Sequence, residues 1–442
     1  MRIVRQPSRL VFIFGLGLVF FFRCAFGLCS EFWTENSDQE QIFLIGLKYY
    51  ATGAWPFFGP DVASGIQIPG ALQGLVAGLP FHVFRIPEAP YIILNILSFA
   101  SLCFFAWYCQ KRLPELPHWF VWSWLMTAPW TMNLSTQVVN PSYVLPAAIL
   151  FFIGAIESYP FLTRNLISPR WANFMMGLAT FWIMQFHLSW VVLVPFTLLS
   201  FYFQFRKDGL KALVAMKWFA LGAIVPVSVL LPTFIKFGLA AGMGNTMETV
   251  QFNLTNLVNQ LNIVEGILGR FLSFASFELP RFIGQNTAAR LQFIRENLWL
   301  TPVIIFLTLV GVLQPVALLI LWFRRGHTQA DWKAIKYLTF GTVLLLYVSF
   351  LFSMKAPSSH TFYVTFPVAM LYSLYCWSEF LSKRGWQKFA LAVISCGIIF
   401  NVGLALHTFR NTSLYVDRTR ILEAIRTRDY HVVGERRSGS RY

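Results

Sequence analysis

The chain passes directly from LVFIFGLGLVFFFRCAFGLC (residues 10–29) into SEFWTENSDQE (residues 30–40). The first stretch is apolar and about as long as the 20 or so helical residues that cross a bilayer. The second is polar and acidic, with Asp38 and Glu40 two positions apart. The whole chain is 56% hydrophobic and only 12% charged. Carboxylates placed just beyond a first membrane span therefore mark a candidate functional site.

The composition indicates a membrane protein. The 442 residues include 46 Phe and 16 Trp, and the mean hydropathy is +0.58, which is typical of the membrane class. The net charge of +16 does not predict a nucleic-acid partner. The basic residues form short clusters between apolar runs rather than one basic surface, so we interpret them as a topology signal.

Apolar runs predict about eleven membrane spans and an all-α polytopic fold. Arg2, Arg5 and Arg9 precede the first run, and most loop Lys and Arg residues fall on the same side, which predicts a cytosolic N-terminus. Runs 171–186 and 188–204 are either one long helix or two short ones, and the loop charges favour two. The predicted spans are 10–29, 91–109, 118–132, 142–159, 171–186, 188–204, 213–235, 300–323, 337–354, 361–382 and 388–407.

The spans divide the chain into a transmembrane body, residues 1–407, and a basic tail, residues 408–442. An odd number of spans places the tail outside although it is rich in arginine. The alternative is that the number of spans differs by one, which would place the tail inside. Two long outside segments remain, residues 30–90 and 236–299. In the first, the apolar spacing from Leu44 to Trp55 predicts an interfacial amphipathic helix that begins near Asp38. A second such helix is predicted between Val250 and Leu261.

Asp38 and Glu40 are the candidate catalytic residues. A carboxylate at the outer membrane face, partly desolvated by apolar neighbours, acts as a general base toward a hydroxyl or an amine. The alternative for Asp38 is a helix N-cap. No Walker loop, HExxH or GxSxG motif appears, and the spacing of His, Cys, Asp and Glu predicts no metal site.

Several polar or aromatic residues in outside turns are candidates for substrate binding, and each has a structural alternative. Trp55 either stacks on a sugar ring or anchors the interface. Gln137 and Asn140 either bind hydroxyl groups or form the turn 133–141. His187 lies between two runs, where an isolated His is often structural. In the turn KAPSSHTFY (355–363), Lys355 and His360 either neutralise a phosphate, or Lys355 snorkels to the headgroups.

The order of these motifs resembles the GT-C membrane glycosyltransferases. The likeness is greatest to the bacterial branch of protein mannosyltransferase-like and aminoarabinose-transferase-like enzymes. It covers roughly residues 1–410. Gln39 stands where that branch usually has a second acid, and Gln67 where a basic residue is common. The matching stretches are SDQ (37–39), GAWP (53–56), QIPG (67–70), NPSYVLP (140–146) and HTFY (360–363) with Pro367.

The resemblance implies transfer of a sugar from a polyprenyl-phosphate donor to a glycan, lipid or protein acceptor, with inversion. Asp38 then activates the acceptor, with Glu40 beside it, while Lys355 and His360 face the donor phosphate. Gln67 and Tyr363 belong to the family's binding motifs. The expected location is the bacterial inner membrane, multi-pass, with the 30–90 segment in the periplasm. The resemblance requires no cofactor but leaves a divalent metal open, because some GT-C enzymes use one.

Two other functions stay open. A secondary transporter predicts a network of charges within the membrane and two related halves. The predicted spans hold few charges, chiefly Arg23, Glu157 and Glu379, and no related halves are evident. A non-catalytic membrane assembly subunit would use the same fold without needing the acid.

Overall fold

A computed structural model describes residues 9–30, 38–61, 67–238, 279–284, 286–323, 331–352, 363–411 and 414–433. These residues are mostly helical. Strands β1 (Phe58–Asp61) and β2 (Gln67–Pro69) form a small antiparallel ribbon in the first loop, with Phe58 opposite Pro69. The helices are α1 (Arg9–Ser30), α2 (Asp38–Thr52), α3 (Leu72–Gly78), α4 (Pro80–Val83), α5 (Ala89–Arg112), α6 (His118–Thr127), α7 (Pro129–Asn133), α8 (Asn140–Ser158), α9 (Pro169–Met184), α10 (Leu193–Asp208), α11 (Ala212–Phe237), α12 (Leu279–Phe282), α13 (Thr287–Glu296), α14 (Thr301–Phe323), α15 (Trp332–Phe350), α16 (Phe366–Ser378), α17 (Arg384–Asn411) and α18 (Leu414–Thr427).

Eight of the described helical stretches are long and apolar enough to cross a membrane. Each coincides with one of the eleven predicted spans, which confirms a multi-pass, helical membrane protein. The eight are Arg9–Cys29, Ala89–Arg112, Asn140–Ser158, Leu188–Val214, Met216–Phe237, Leu298–Phe323, Trp332–Phe350 and Arg384–Arg410.

The other three predicted spans coincide with shorter helices. The 118–132 run is divided at Ala128, whose extended backbone (ψ 140°) separates α6 from α7 at Pro129. Helices α9 and α16 have 16 and 13 residues, or about 24 and 20 Å at 1.5 Å per residue. A bilayer core is about 30 Å thick. The apolar content of α16 is explained by its burial inside the bundle.

The chain reverses direction between α9 and α10. Asn173, near the start of α9, donates from Nδ2 to Oε1 of Gln204 near the end of α10 at 2.9 Å, and the Gln204 amide returns a bond of 3.2 Å. Residues 171–204 therefore form two antiparallel helices, which was the alternative favoured by the loop charges.

The bundle has two ends, named here by one residue each. At the Arg112 end, the Arg112 guanidinium bonds to Glu157 at the end of α8 and, at 3.2 Å, to Asp331 just before α15. All three side chains are buried. At the Asp38 end, α2, α5 and α8 begin, and α1, α9, α11 and α17 finish. Asp38 and Glu40 on α2, and Asn140 at the start of α8, belong to the Asp38 end.

Helix α2 differs from the predicted amphipathic interfacial helix because it is covered on most of its surface. A Cβ atom on Gly46 would lie 2.8 Å from the Ala77 Cβ of α3, so these helices touch closely. On another side, the Tyr50 hydroxyl donates to the Ile425 carbonyl of α18 at 3.3 Å. The tail thus covers a surface that was expected to face lipid and water. The second predicted amphipathic helix, at 250–261, lies outside the described residues.

Helices α9 and α11 approach closely through two glycines. A Cβ atom on Gly177 would lie 1.9 Å from the Phe219 carbonyl oxygen, and one on Gly222 would lie 2.0 Å from the Phe174 oxygen. Small residues let backbones of membrane helices come together in this way. This contact fixes the position of α9, and with it the site residues at the end of α9.

We expect Gly177→Ala to destabilise the protein by about 1–3 kcal/mol, because the added methyl forces the two backbones apart. The measurement is thermal unfolding of the purified protein in detergent. Gly341→Ala on α15 is the matched control, since its Cβ would have no neighbour within 4 Å. The control should be neutral or slightly stabilising. Equal losses in both variants would contradict the close contact.

Candidate functional site

The start of α2 lies beside the start of α5. Asp38 is the first residue of α2, and the next residue, Gln39, is buried and donates from Nε2 to the Tyr91 hydroxyl of α5 at 2.6 Å. Glu40 is half-buried on the same helix. Both candidate catalytic carboxylates therefore belong to a segment anchored at the Asp38 end of the bundle.

Buried amide side chains lie on the segments that meet at this end of the bundle, and together they are here called the amide layer. Asn95, one turn along α5 from Tyr91, donates to the Thr136 carbonyl at 3.4 Å. Asn140 follows Thr136 by four residues, and its side-chain oxygen accepts a hydrogen bond from the Gln73 amide of α3. The layer joins segments that are distant in sequence, and its members are Gln39, Gln73, Asn95, Asn140 and Gln185.

Gln185 completes the amide layer because a glycine lets the first loop approach it. Gly70 has φ of +125°, and a Cβ atom there would lie 2.4 Å from the Gln185 side chain. Gln185 Oε1 faces the Leu72 amide at 3.5 Å, and its Nε2 donates to the Pro226 carbonyl of α11 at 2.7 Å. A larger residue at position 70 would collide with this side chain, so either the loop or the Gln185 amide would have to move.

The predicted binding residues Gln137 and Asn140 lie at the amide layer, whereas Trp55 and Gln67 lie in the loop beside it. Asn140 is a member of the layer, and Gln137 is buried in the turn that precedes it. Trp55 and Gln67 are half-buried, and the Trp55 indole N–H has no hydrogen-bond partner among the described residues. Amides both donate and accept hydrogen bonds, so this region has the groups that recognise hydroxyl-rich ligands.

His187 has a local structural role. Its Nδ1 accepts from the Ser189 backbone N–H at 3.1 Å and lies 2.8 Å from the Ser189 hydroxyl. The ring thereby caps the short 3₁₀ helix Leu188–Val192 that leads into α10. This contact explains the position of His187 without a ligand.

Tyr363 is fully buried and stacks on Trp130 of α7, with ring centroids 5.2 Å apart and an interplanar angle of 26°. Its hydroxyl has no hydrogen-bond partner in the described part of the chain. The two residues predicted to act with it, Lys355 and His360, lie outside the described residues. The structure therefore places the final residue of the predicted 355–363 turn against the broken helix.

A buried arginine lies at the break between α6 and α7. The Arg23 guanidinium, from α1, donates to the Met126 carbonyl at 2.6 Å and to the Ser135 hydroxyl, and lies 3.5 Å from the Thr131 carbonyl. Within α17, Asn401 donates to the Thr127 carbonyl at 3.0 Å. Lipid offers no hydrogen bonds to carbonyls freed by a break, so side chains from neighbouring helices provide them.

The charge of Arg23 faces backbone carbonyls at these helix ends. Carbonyls in the last turn of a helix carry partial negative charge, equivalent to about half a charge per helix. Met126 and Thr131 belong to the last turns of α6 and α7, so both helix ends face the guanidinium. No carboxylate contacts Arg23 among the residues that the structure describes.

The described residues contain no group of three or more His, Cys, Asp or Glu placed to hold a metal ion. What they bring together is a carboxylate-bearing helix start, an amide layer and, deeper in the bundle, a broken helix that holds an arginine. In comparisons with models of protein families, with curated proteins and with solved structures, no match to this chain was found.

Proposed function

We propose that the chain is a membrane glycosyltransferase that moves a sugar from a polyprenyl-phosphate-type lipid to a lipid, glycan or protein acceptor. The observation that carries the proposal is the bond between Gln39 and Tyr91, which anchors the Asp38 segment at the amide layer. The candidate base and the amides that we propose to bind hydroxyls therefore belong to the same end of the bundle. The order of the sequence motifs supports the same function.

In the proposed reaction, the Asp38 carboxylate accepts the proton of an acceptor hydroxyl. The acceptor oxygen attacks the anomeric carbon and forms the new glycosidic bond. The bond between that carbon and the phosphate oxygen breaks, and its electron pair leaves with the phosphate, so the configuration inverts. Lys355 and His360 are the proposed donors that stabilise the leaving phosphate, where negative charge develops. Gln137 and Asn140 are proposed to bind sugar hydroxyls.

The test is a transfer assay with the purified protein in detergent. Polyprenyl-phosphate sugars of several kinds are supplied with an extract of candidate acceptors, and the loss of donor and the labelled product are both measured. Turnover of one donor supports the proposal. The absence of turnover with every donor, together with solute flux in liposomes, would contradict it.

A secondary transporter is the second candidate, and the break between α6 and α7 favours it. Transporters bind substrates at discontinuous membrane helices, and a buried intramembrane charge such as Arg23 is typical of transport pathways. Flux through liposomes without consumption of a lipid-linked donor would support this function.

The proposed orientation, with the Asp38 end at the periplasmic face and the Arg112 end at the cytosolic face, predicts a labelling pattern. Ala54→Cys in the first loop and Glu423→Cys in α18 are at exposed positions near the Asp38 end, and Lys207→Cys is exposed near the Arg112 end. In intact cells, a membrane-impermeant maleimide should modify the first two, and should modify the third only after permeabilisation. A chain without the added cysteine gives the background. The reverse pattern would place Asp38 on the wrong side for a periplasmic reaction.

A further inference from the structure

The C-terminal helix α18 docks on the first loop near the membrane boundary. Ile421, Ala424 and Ile425 are its buried face. The Arg418 guanidinium forms an ion pair with Glu88, the residue that directly precedes the membrane-crossing helix α5. Since that residue marks where a span begins, the ion pair holds α18 at the level of the lipid headgroups.

Docking leaves three arginines exposed at this level. Arg410 is the last residue of a candidate membrane span, and Arg420 and Arg426 lie on the exposed face of α18. None of the three forms an ion pair with another described residue. Two other arginines have partners. Arg418 pairs with Glu88, and the Arg428 guanidinium lies 5.5 Å from the centre of the Tyr50 ring.

We propose that Arg410, Arg420 and Arg426 bind the phosphate groups of anionic phospholipids. A guanidinium makes strong charge-assisted hydrogen bonds with phosphate, and a basic residue near an anionic membrane surface contributes about 1 kcal/mol of attraction. The position of Arg410 at the end of a span favours a lipid over a soluble polyanion, because the lipid phosphates lie at that depth. The proposal is independent of the transferase reaction.

The test uses the full-length chain in detergent with Glu423→Cys, between Arg420 and Arg426, carrying an environment-sensitive fluorophore. Phosphatidylglycerol, phosphatidylcholine and inorganic phosphate are titrated separately. We expect a saturable spectral shift with phosphatidylglycerol alone. At about 1 kcal/mol for each arginine, Arg410→Gln, Arg420→Gln and Arg426→Gln combined should weaken the apparent affinity roughly a hundredfold.

Lys207→Gln with Lys211→Gln is the matched control, since both lysines are exposed near the Arg112 end, and it should leave the titration unchanged. Equal shifts with phosphatidylcholine would overturn the proposal, as would an unaltered affinity in the arginine variant. A shift of the same size with inorganic phosphate would assign the site to soluble phosphate instead of a lipid. Circular dichroism of each variant verifies that the helices are retained.

Discussion

Asp38→Asn is expected to lower the rate of sugar transfer by about a hundredfold to ten-thousandfold, which is the usual contribution of a general base. The amide has nearly the same shape as the carboxylate but does not accept the acceptor proton at neutral pH. The neighbouring bond between Gln39 and Tyr91 does not involve the altered group, so the start of α2 should stay in place. The measurement is the initial rate with a fixed lipid-linked donor.

Glu40→Gln separates the two candidate carboxylates, because it makes the same chemical change two residues along α2. If Asp38 is the base, Glu40→Gln should retain transfer within a few-fold of the parent. Equal turnover in Asp38→Asn and in the parent would remove Asp38 from the mechanism. Loss of transfer in Glu40→Gln alone would assign the base to Glu40.

Hydropathy predicted the long helices well because the bilayer itself sets their length. An apolar run near 20 residues has few alternatives to a membrane helix, and all eight long helices in the described part of the chain coincide with predicted spans. The antiparallel pair at 171–204 was also predictable from the sequence. Counting it as two helices keeps the positively charged loops that follow on the same side of the membrane. The Asn173–Gln204 bonds that hold the pair together were not predictable, because they depend on packing.

The short helices show the limit of the same reasoning. Hydropathy averages across Pro129, although this proline ends one helix and begins another. It also does not distinguish a helix surrounded by protein, such as α16, from one that faces lipid. The docking of α18 on α2 was likewise not predictable, because the sequence of an arginine-rich tail does not indicate which helix it packs against.

The candidate site could be predicted only in part. The region around Asp38 and the turn that contains Asn140 were predicted from local composition. Gln73 and Gln185 were not, because single amides in apolar segments have no periodic signal and acquire meaning only when the fold brings them together. For His187 a local signal existed, namely Ser189 two residues later, which is the spacing of a capping contact.

Arg23→Leu is expected to destabilise the bundle strongly, because the Met126 carbonyl at the break between α6 and α7 loses its donor and the Ser135 hydroxyl loses a partner. A buried polar group left unsatisfied costs about 1–3 kcal/mol, and Arg23 bonds both Met126 and Ser135. Removing the charge offsets part of this loss of stability, because burying a cation is itself unfavourable. The net loss should still reach a few kcal/mol because the freed Met126 carbonyl belongs to a fully buried residue. Thermal unfolding in detergent measures it.

Two further variants separate the charge of Arg23 from its position. Phe21→Leu alters a lipid-facing residue of the same helix, whose exposed fraction is 72%, and should be close to neutral. Arg23→Lys keeps the cation but loses the fork that reaches two helix ends, so it should fall between the parent and Arg23→Leu. Unchanged stability in Arg23→Leu would mean that the break does not depend on the guanidinium. A stable Arg23→Lys protein that loses solute flux in liposomes would instead show that the buried charge acts in transport. That result would favour the secondary transporter over the glycosyltransferase.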